Sequence, residues 1–276
     1  MSTSLTAVLR RFGALALVPA AWTAAAAQSQ APSYRWEVSG PRAGWCLHFL
    51  MDPEEAQKEL VGEERPVTAG LVKGLPPAIE RVLADDPKYA EWIPSVVCTY
   101  VVDSISVDGR TYDRGDGKQP LAFLYWGVAA TGDALGSEPG ARSFRVFGTN
   151  SSGLQRVMES HRLRIDRVDV KVQPIKDSED EQYRLKLEGA TIFLDGHPRP
   201  DSAGTVVPEQ RTGELGGYNK SVWKVQLAFQ PAEVGTLAGA LRVEGKRGLA
   251  KVLQQSPIRY VGPVLAGGSA SVTFSR

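Results

Sequence analysis

The sequence predicts a mainly β protein, one β-rich domain with a few short helices. Most apolar residues alternate with polar ones or gather in short runs, the patterns of half-buried and fully buried strands. Gly, Pro and Asp-Gly punctuation cuts those runs into pieces of strand length. No internal repeat and no linker divides residues 28–276, which read as a single unit.

The segment before that unit differs in character. "MSTSLTAVLRRFGALALVPAAWTAAAAQ" sets Arg10-Arg11 ahead of an apolar run from Phe12 to Trp22, and its small residues end in Ala25-Ala26-Ala27. This is the pattern of a secretory signal peptide over residues 1–27 with an A-x-A-type cleavage site. It predicts export, to the periplasm or the medium. No stretch approaches ~18 consecutive apolar residues, so stable membrane insertion is not expected.

Within the domain, "YRWEVSG" (34–40) and "GWCLHFLM" (44–51) are the first strands, parted by Gly40-Pro41. In the second, Trp45, Leu47, Phe49 and Met51 share one face while Cys46, His48 and Leu50 share the other. Both faces are largely apolar, which predicts a central strand. Asp52 then caps a helix with Pro53 at its first position and Glu54 and Glu55 in its first turn. A second helical patch, "LPPAIERVLADDPKYAEWIP", is broken at Pro87 and ended by Pro94.

The next run, "SVVCTYVVDSISVDG", is a long strand closing on an Asp-Gly turn. "LAFLYWGVAAT" (121–131) is almost wholly apolar, as expected of a strand covered on both sides. "ARSFRVFGT" (141–149) follows as a strand, with Phe144 and Val146 on one face and Arg145 and Phe147 on the other. "SSGLQRVMESH" places Leu154, Val157 and Met158 at helical spacing. In "RLRIDRVDVKV" the apolar phase slips at Asp166-Arg167, which predicts a bulge or bend. "EQYRLKLEGATIFLDG" reads as one long strand ending at Asp195-Gly196. Residues 197–219, rich in Pro, Gly and charge, read as a long connection, either mobile or a lid. "KSVWKVQLAFQ" alternates well, a short helix is expected near Leu249 to Leu253, and a final strand or strand pair closes the chain.

Charge excludes some partners. The chain carries 32 Lys and Arg against 31 Asp and Glu, and losing Arg10 and Arg11 leaves it near neutrality. No basic tract supports nucleic-acid binding. Cys46 and Cys98 are the only cysteines, and export delivers them to an oxidising space, so a disulfide between them is expected. The three histidines, His48, His161 and His197, show no metal-ligand spacing. Phosphate loops, nucleophile elbows and zinc-protease motifs are missing, so no cofactor or metal is indicated.

Aromatic residues carry more. Tyr125 and Trp126, with Trp45, Phe49 and Phe123, lie on strands expected to be central, near His48 and Arg145. An apolar cavity with a few inward polar groups is the ordinary form of a small-ligand site. His48, Tyr125, Trp126 and Arg145 are therefore the candidate ligand contacts, with His48 and Arg145 orienting a polar or anionic end.

"LHFLMDPEEAQKELVGEERPV" resembles the opening of acetoacetate decarboxylase-like proteins, where a strand leads into a "dPeal..llP" helix. The closing "AKVLQQSPIRYVGPVLAGGSASVTF" is similar to that family's C-terminal pattern. The resemblance implies a curved antiparallel sheet, barrel- or cone-like, around a cavity. It also implies chemistry on small carboxylates through a Schiff-base lysine in an "E.s.yPKK" segment. The comparable stretch here, "FRVFGTNSSGLQRVMES", contains no lysine, so no imine can form there.

Three readings stand. The first is an exported binder of a small, partly apolar or carboxylate-bearing molecule. The second is a lyase or hydrolase of the acetoacetate decarboxylase-like kind using non-lysine chemistry. The third is an interaction module using the 197–219 loop. A filled interior would remove the first two, and a perturbed His48 beside an open cavity would favour catalysis over binding.

Overall fold

The computed structural model describes residues 33–60, 63–131, 141–200, 209–262 and 264–276. The expected signal peptide lies outside them. Seven strands form the centre: β1 (Ser33–Met51), β2 (Ile93–Val107), β3 (Leu121–Thr131), β4 (Arg142–Thr149), β5 (Glu209–Gly216), β6 (Val222–Gln230) and β7 (Ser269–Ser275). They pair in that order, and β7 returns to β1, so the sheet closes into a barrel. Closure removes the free edges that an open sheet would expose.

The ring is not wholly antiparallel. β4 and β5 run parallel, with Gly213 opposite Arg142 and Leu215 opposite Phe144. The chain between them leaves the ring to build other strands, and such a crossover is what permits parallel pairing. Space for that pairing depends on Gly213. A Cβ there would lie 2.3 Å from Phe144 Cε2 and 2.5 Å from the Arg142 carbonyl oxygen. Gly213→Ala is expected to cost about 1–3 kcal/mol through this overpacking, read as a lower urea midpoint at unchanged slope.

The ring strands alternate as their sequences predict. Trp36, Tyr100, Phe123, Tyr125, Phe147, Trp223, Val272 and Phe274 point inward to one core. The rings pack against one another, for example Tyr100 on Phe123 at 4.8 Å and Tyr100 on Phe229 at 4.8 Å. The middle of the barrel is therefore solid. Among the helices, α1 (Pro53–Gln57), α2 (Pro77–Asp85), α3 (Ser152–Ser160) and α4 (Leu249–Gln255), α3 packs into this core. Its Met158 Sδ accepts from Trp36 Nε1 at 3.0 Å. The Asp52 cap of α1 is present, its carboxylate accepting from the Glu54 and Glu55 amides.

A second core lies on the other side of the sheet. Trp45, Leu47, Phe49, Val97 and Trp126 meet Tyr183, Leu185, Ile192 and Leu194 there, with Leu249 and Leu253 from α4. The latter strands, Asp169–Pro174, Glu181–Leu187, Ala190–Pro200 and Glu233–Glu244, continue the sheet from β1 through Val264–Ala266. Both faces of β1 and β3 are thus covered, as their apolar sequences demand.

Several sequence expectations change. The first two expected strands are one, β1, with an irregularity between Pro41 and Ala43. "EQYRLKLEGATIFLDG" is a hairpin, because Glu188 and Gly189 adopt φ of 43° and 78° and turn the chain. The phase slip falls on a two-residue strand, Asp166–Arg167, just before the strand Asp169–Pro174: Leu163 and Ile165 ahead of it enter the barrel core, Val168 and Val170 the second core. The described residues of 197–219 are largely strand, ending Ala190–Pro200 and forming β5. Its composition hid it, because β5 is held by ring closure rather than by an apolar stripe. Residues 201–208 lie outside the described residues.

Candidate functional site

Where the aromatic packing ends, a cavity of about 310 Å³ opens. Its wall is built from residues of the ring strands. His48 comes from β1, Ser95 and Val96 from β2, Tyr125 from β3, Arg142 and Phe144 from β4, and Gln210, Arg211 and Thr212 from β5. The segment 72–79 supplies Val72, Lys73, Leu75 and Ile79 to the remaining side. Leu75, Ile79 and Leu50 form a small core of their own, which fixes that segment against β1.

The disulfide forms the floor beneath one of these groups. Cys46 and Cys98 face each other across β1 and β2 and are bonded, as expected. Arg211 Nη1 lies 3.1 Å from Cys46 Sγ and 3.0 Å from Cys98 Sγ, and donates to Tyr125 Oη at 2.5 Å. The guanidinium is therefore oriented by a hydroxyl and by the bridge.

Arg142 sits on the neighbouring strand. Its only hydrogen bond among the described residues goes to the Ala141 carbonyl oxygen at 3.3 Å. No carboxylate among the described residues pairs with it. Burial, and then the Arg211 guanidinium, push its pKa down to about 10, so it stays charged at neutral pH. Two guanidiniums thus face one cavity whose described lining contains no Asp or Glu.

His48 responds to the same field. Burial first, then Arg211 and Arg142, hold its pKa down at about 3, so the imidazole is neutral at physiological pH. Its ring lies against the backbone of Gly262, where a Cβ would approach Nε2 to 2.9 Å. Gly262 donates its amide to the Cys46 carbonyl at 2.8 Å, which holds that close approach.

Of the four residues singled out from sequence, the structure brings His48 and Tyr125 together in this cavity. Trp126 points to the second core, as the alternation of β3 requires. Its Nε1 donates to Ser95 Oγ at 3.0 Å, and that hydroxyl donates to the Gly127 carbonyl, so it braces the wall from behind. Arg145 lies elsewhere. A register shift between Trp126 and Gly127 of β3 puts Phe144 and Phe147 in the barrel core and Val146 in the second core. Arg145 is left to pair with Glu59 at 2.6 Å, beside a separate hollow.

Sequence reasoning missed Arg142 and Arg211. Arg142 has the parity of Phe144 on an apolar strand, a signal that could have marked it as inward. Arg211 had no such mark, because its strand did not read as one.

Among the described residues, no three His, Cys, Asp or Glu side chains converge as a metal-ligand group. No helix among them is long and apolar enough to cross a membrane.

A closed mixed barrel with a cationic cavity at the limit of its packed core is the class of structure defined here. No protein-family model matches the chain, and no curated protein does. Solved structures are similar in fold. An acetoacetate decarboxylase from Legionella pneumophila aligns over 89% of this chain and 87% of its own at 11% identity, with a TM-score of 0.47. The enduracididine biosynthesis enzyme MppR, complexed with pyruvate, aligns over 91% of each chain at 9% identity and a TM-score of 0.45. An acetoacetate decarboxylase-like enzyme from Sphingomonas wittichii aligns over 88% and 89% at 10% identity and 0.39. Each of these alignments runs along most of this chain.

Proposed function

We propose that this protein is an exported binder of a small, partly apolar carboxylate, held in the cavity between Arg142 and Arg211. One observation carries the reading: two half-buried guanidiniums line a space whose described wall offers no carboxylate to Arg142. A charge taken from water needs a partner, and an anionic ligand supplies one to Arg142. Phe144, Val72, Leu75 and Ile79 offer apolar contact to the rest of such a molecule. The volume is at the small end for ligand sites and suits a small acid. Export rests on the signal-peptide pattern of residues 1–27 and is checked by finding Gln28 at the N-terminus of the secreted or periplasmic product.

The state of His48 bears on catalysis. A perturbed histidine beside a cavity is a mark of active sites, but the direction matters. An imidazole with a pKa of about 3 is a poor general base at neutral pH. It serves as a neutral hydrogen-bonding partner, which favours binding over proton abstraction.

Titration with butyrate tests the reading. Arg142→Met is expected to weaken butyrate binding about 10–100-fold, the range for losing a charge-assisted hydrogen bond. The same substitution should leave the unliganded protein no less stable, because it removes a half-buried charge that no carboxylate among the described residues pairs with. Equal affinity in wild type and variant would remove Arg142 from the site and overturn the proposal.

A further inference from the structure

The same cavity carries a third cation, and its position says more about the ligand. Lys73 lines the cavity from the 72–79 segment, is exposed, and makes no ion pair or hydrogen bond among the described residues. Arg142 and Arg211, by contrast, are half-buried on adjacent ring strands. The wall thus presents a half-buried guanidinium pair on the barrel strands and an exposed ammonium on the 72–79 segment. Val72, Leu75, Ile79 and Phe144 line the same cavity. A monocarboxylate would engage the guanidinium pair and leave Lys73 unused. A compact dianion such as phosphate could meet Arg142 but carries no apolar spacer to lie against the same wall.

Resting on the proposed carboxylate site, we infer that the ligand carries two anionic groups joined by a short apolar spacer. One group lies between Arg142 and Arg211 and the other meets Lys73. The Lys73 interaction is water-exposed, so its contribution is small, salt-sensitive and confined to ligands with the second charge. Gly74 has a φ of 70° and turns the chain directly after Lys73.

Calorimetric titration at low salt separates the possibilities, using butyrate, glutarate and inorganic phosphate on wild type, Lys73→Met and Arg142→Met. Glutarate is expected to bind about five-fold more tightly than butyrate to wild type. Lys73→Met should lower glutarate affinity more than butyrate affinity and so abolish that difference, and Arg142→Met should weaken both acids. Equal binding of the two acids, a preference that survives Lys73→Met, or phosphate binding more tightly than glutarate would each overturn the two-anion ligand while leaving the carboxylate site standing. If neither acid binds wild type, the carboxylate site fails and this inference with it. Lys73 is exposed and lies outside regular secondary structure, so its replacement is not expected to disturb folding.

Discussion

Replacing Cys46 and Cys98 together by alanine is expected to lower the free energy of unfolding by roughly 4 kcal/mol, the chain-entropy value for a loop of this size. The bridge spans 52 residues of sequence. That loop includes α1, the 72–79 wall of the cavity and α2, all of which gain freedom in the unfolded chain once the link is gone. The folded state keeps its neighbours, since β1 and β2 pair on both sides of the Cys46–Cys98 position. Denaturant unfolding of the double variant should therefore show a lower midpoint with little change in slope. A loss below about 1 kcal/mol would mean that the unfolded chain already holds these strands together. The cavity should also respond, because Arg211 rests on both sulfurs.

The second large effect is acid sensitivity from His48. Its folded pKa of about 3 lies below the ordinary value of 6.5. Between those values the unfolded chain binds a proton at this residue and the folded chain does not. His48 therefore imposes no penalty above pH 6.5, and stability is lost as pH falls from 6.5 towards 3. The slope approaches about 1.4 kcal/mol per pH unit inside that window. His48→Gln should remove this dependence, so the gap between variant and wild type widens on acidification. Burial also raises the carboxyl pKa values of Asp166 and Glu214, which opposes the trend. Those groups are common to both proteins and cancel in the difference. Arg142→Met should narrow the window from its acid end, since Arg142 helps hold the imidazole neutral. Parallel stability curves for wild type and His48→Gln from pH 7 to 4 would show that His48 titrates normally in the fold.

Much of the fold was legible locally. The apolar run 121–131 coincides with β3, and the alternation of 222–230 gives β6 with Trp223, Val225, Leu227 and Phe229 all buried. Half of the site was legible as well. His48 shares a strand face with Cys46, and Tyr125 faces Cys98 across the β2–β3 pair, so these residues follow from parity once the strands are known. Arg145 illustrates the limit. It and Arg142 lie three residues apart on one strand, and only a register shift decides which lines the cavity. A bulge of this kind has no consistent sequence mark.

The sequence by itself determined many of the segments that become strands, which of their faces are apolar, and that the chain's two cysteines are expected to be joined after export. Such properties repeat over two residues and need no knowledge of distant chain. Ring closure, the parallel seat of β5, and the meeting of Arg142 with Arg211 were decided by tertiary structure. The physical reason is range: parity is set by each residue's own backbone, whereas the field between two guanidiniums exists only when strands some 70 residues apart lie side by side.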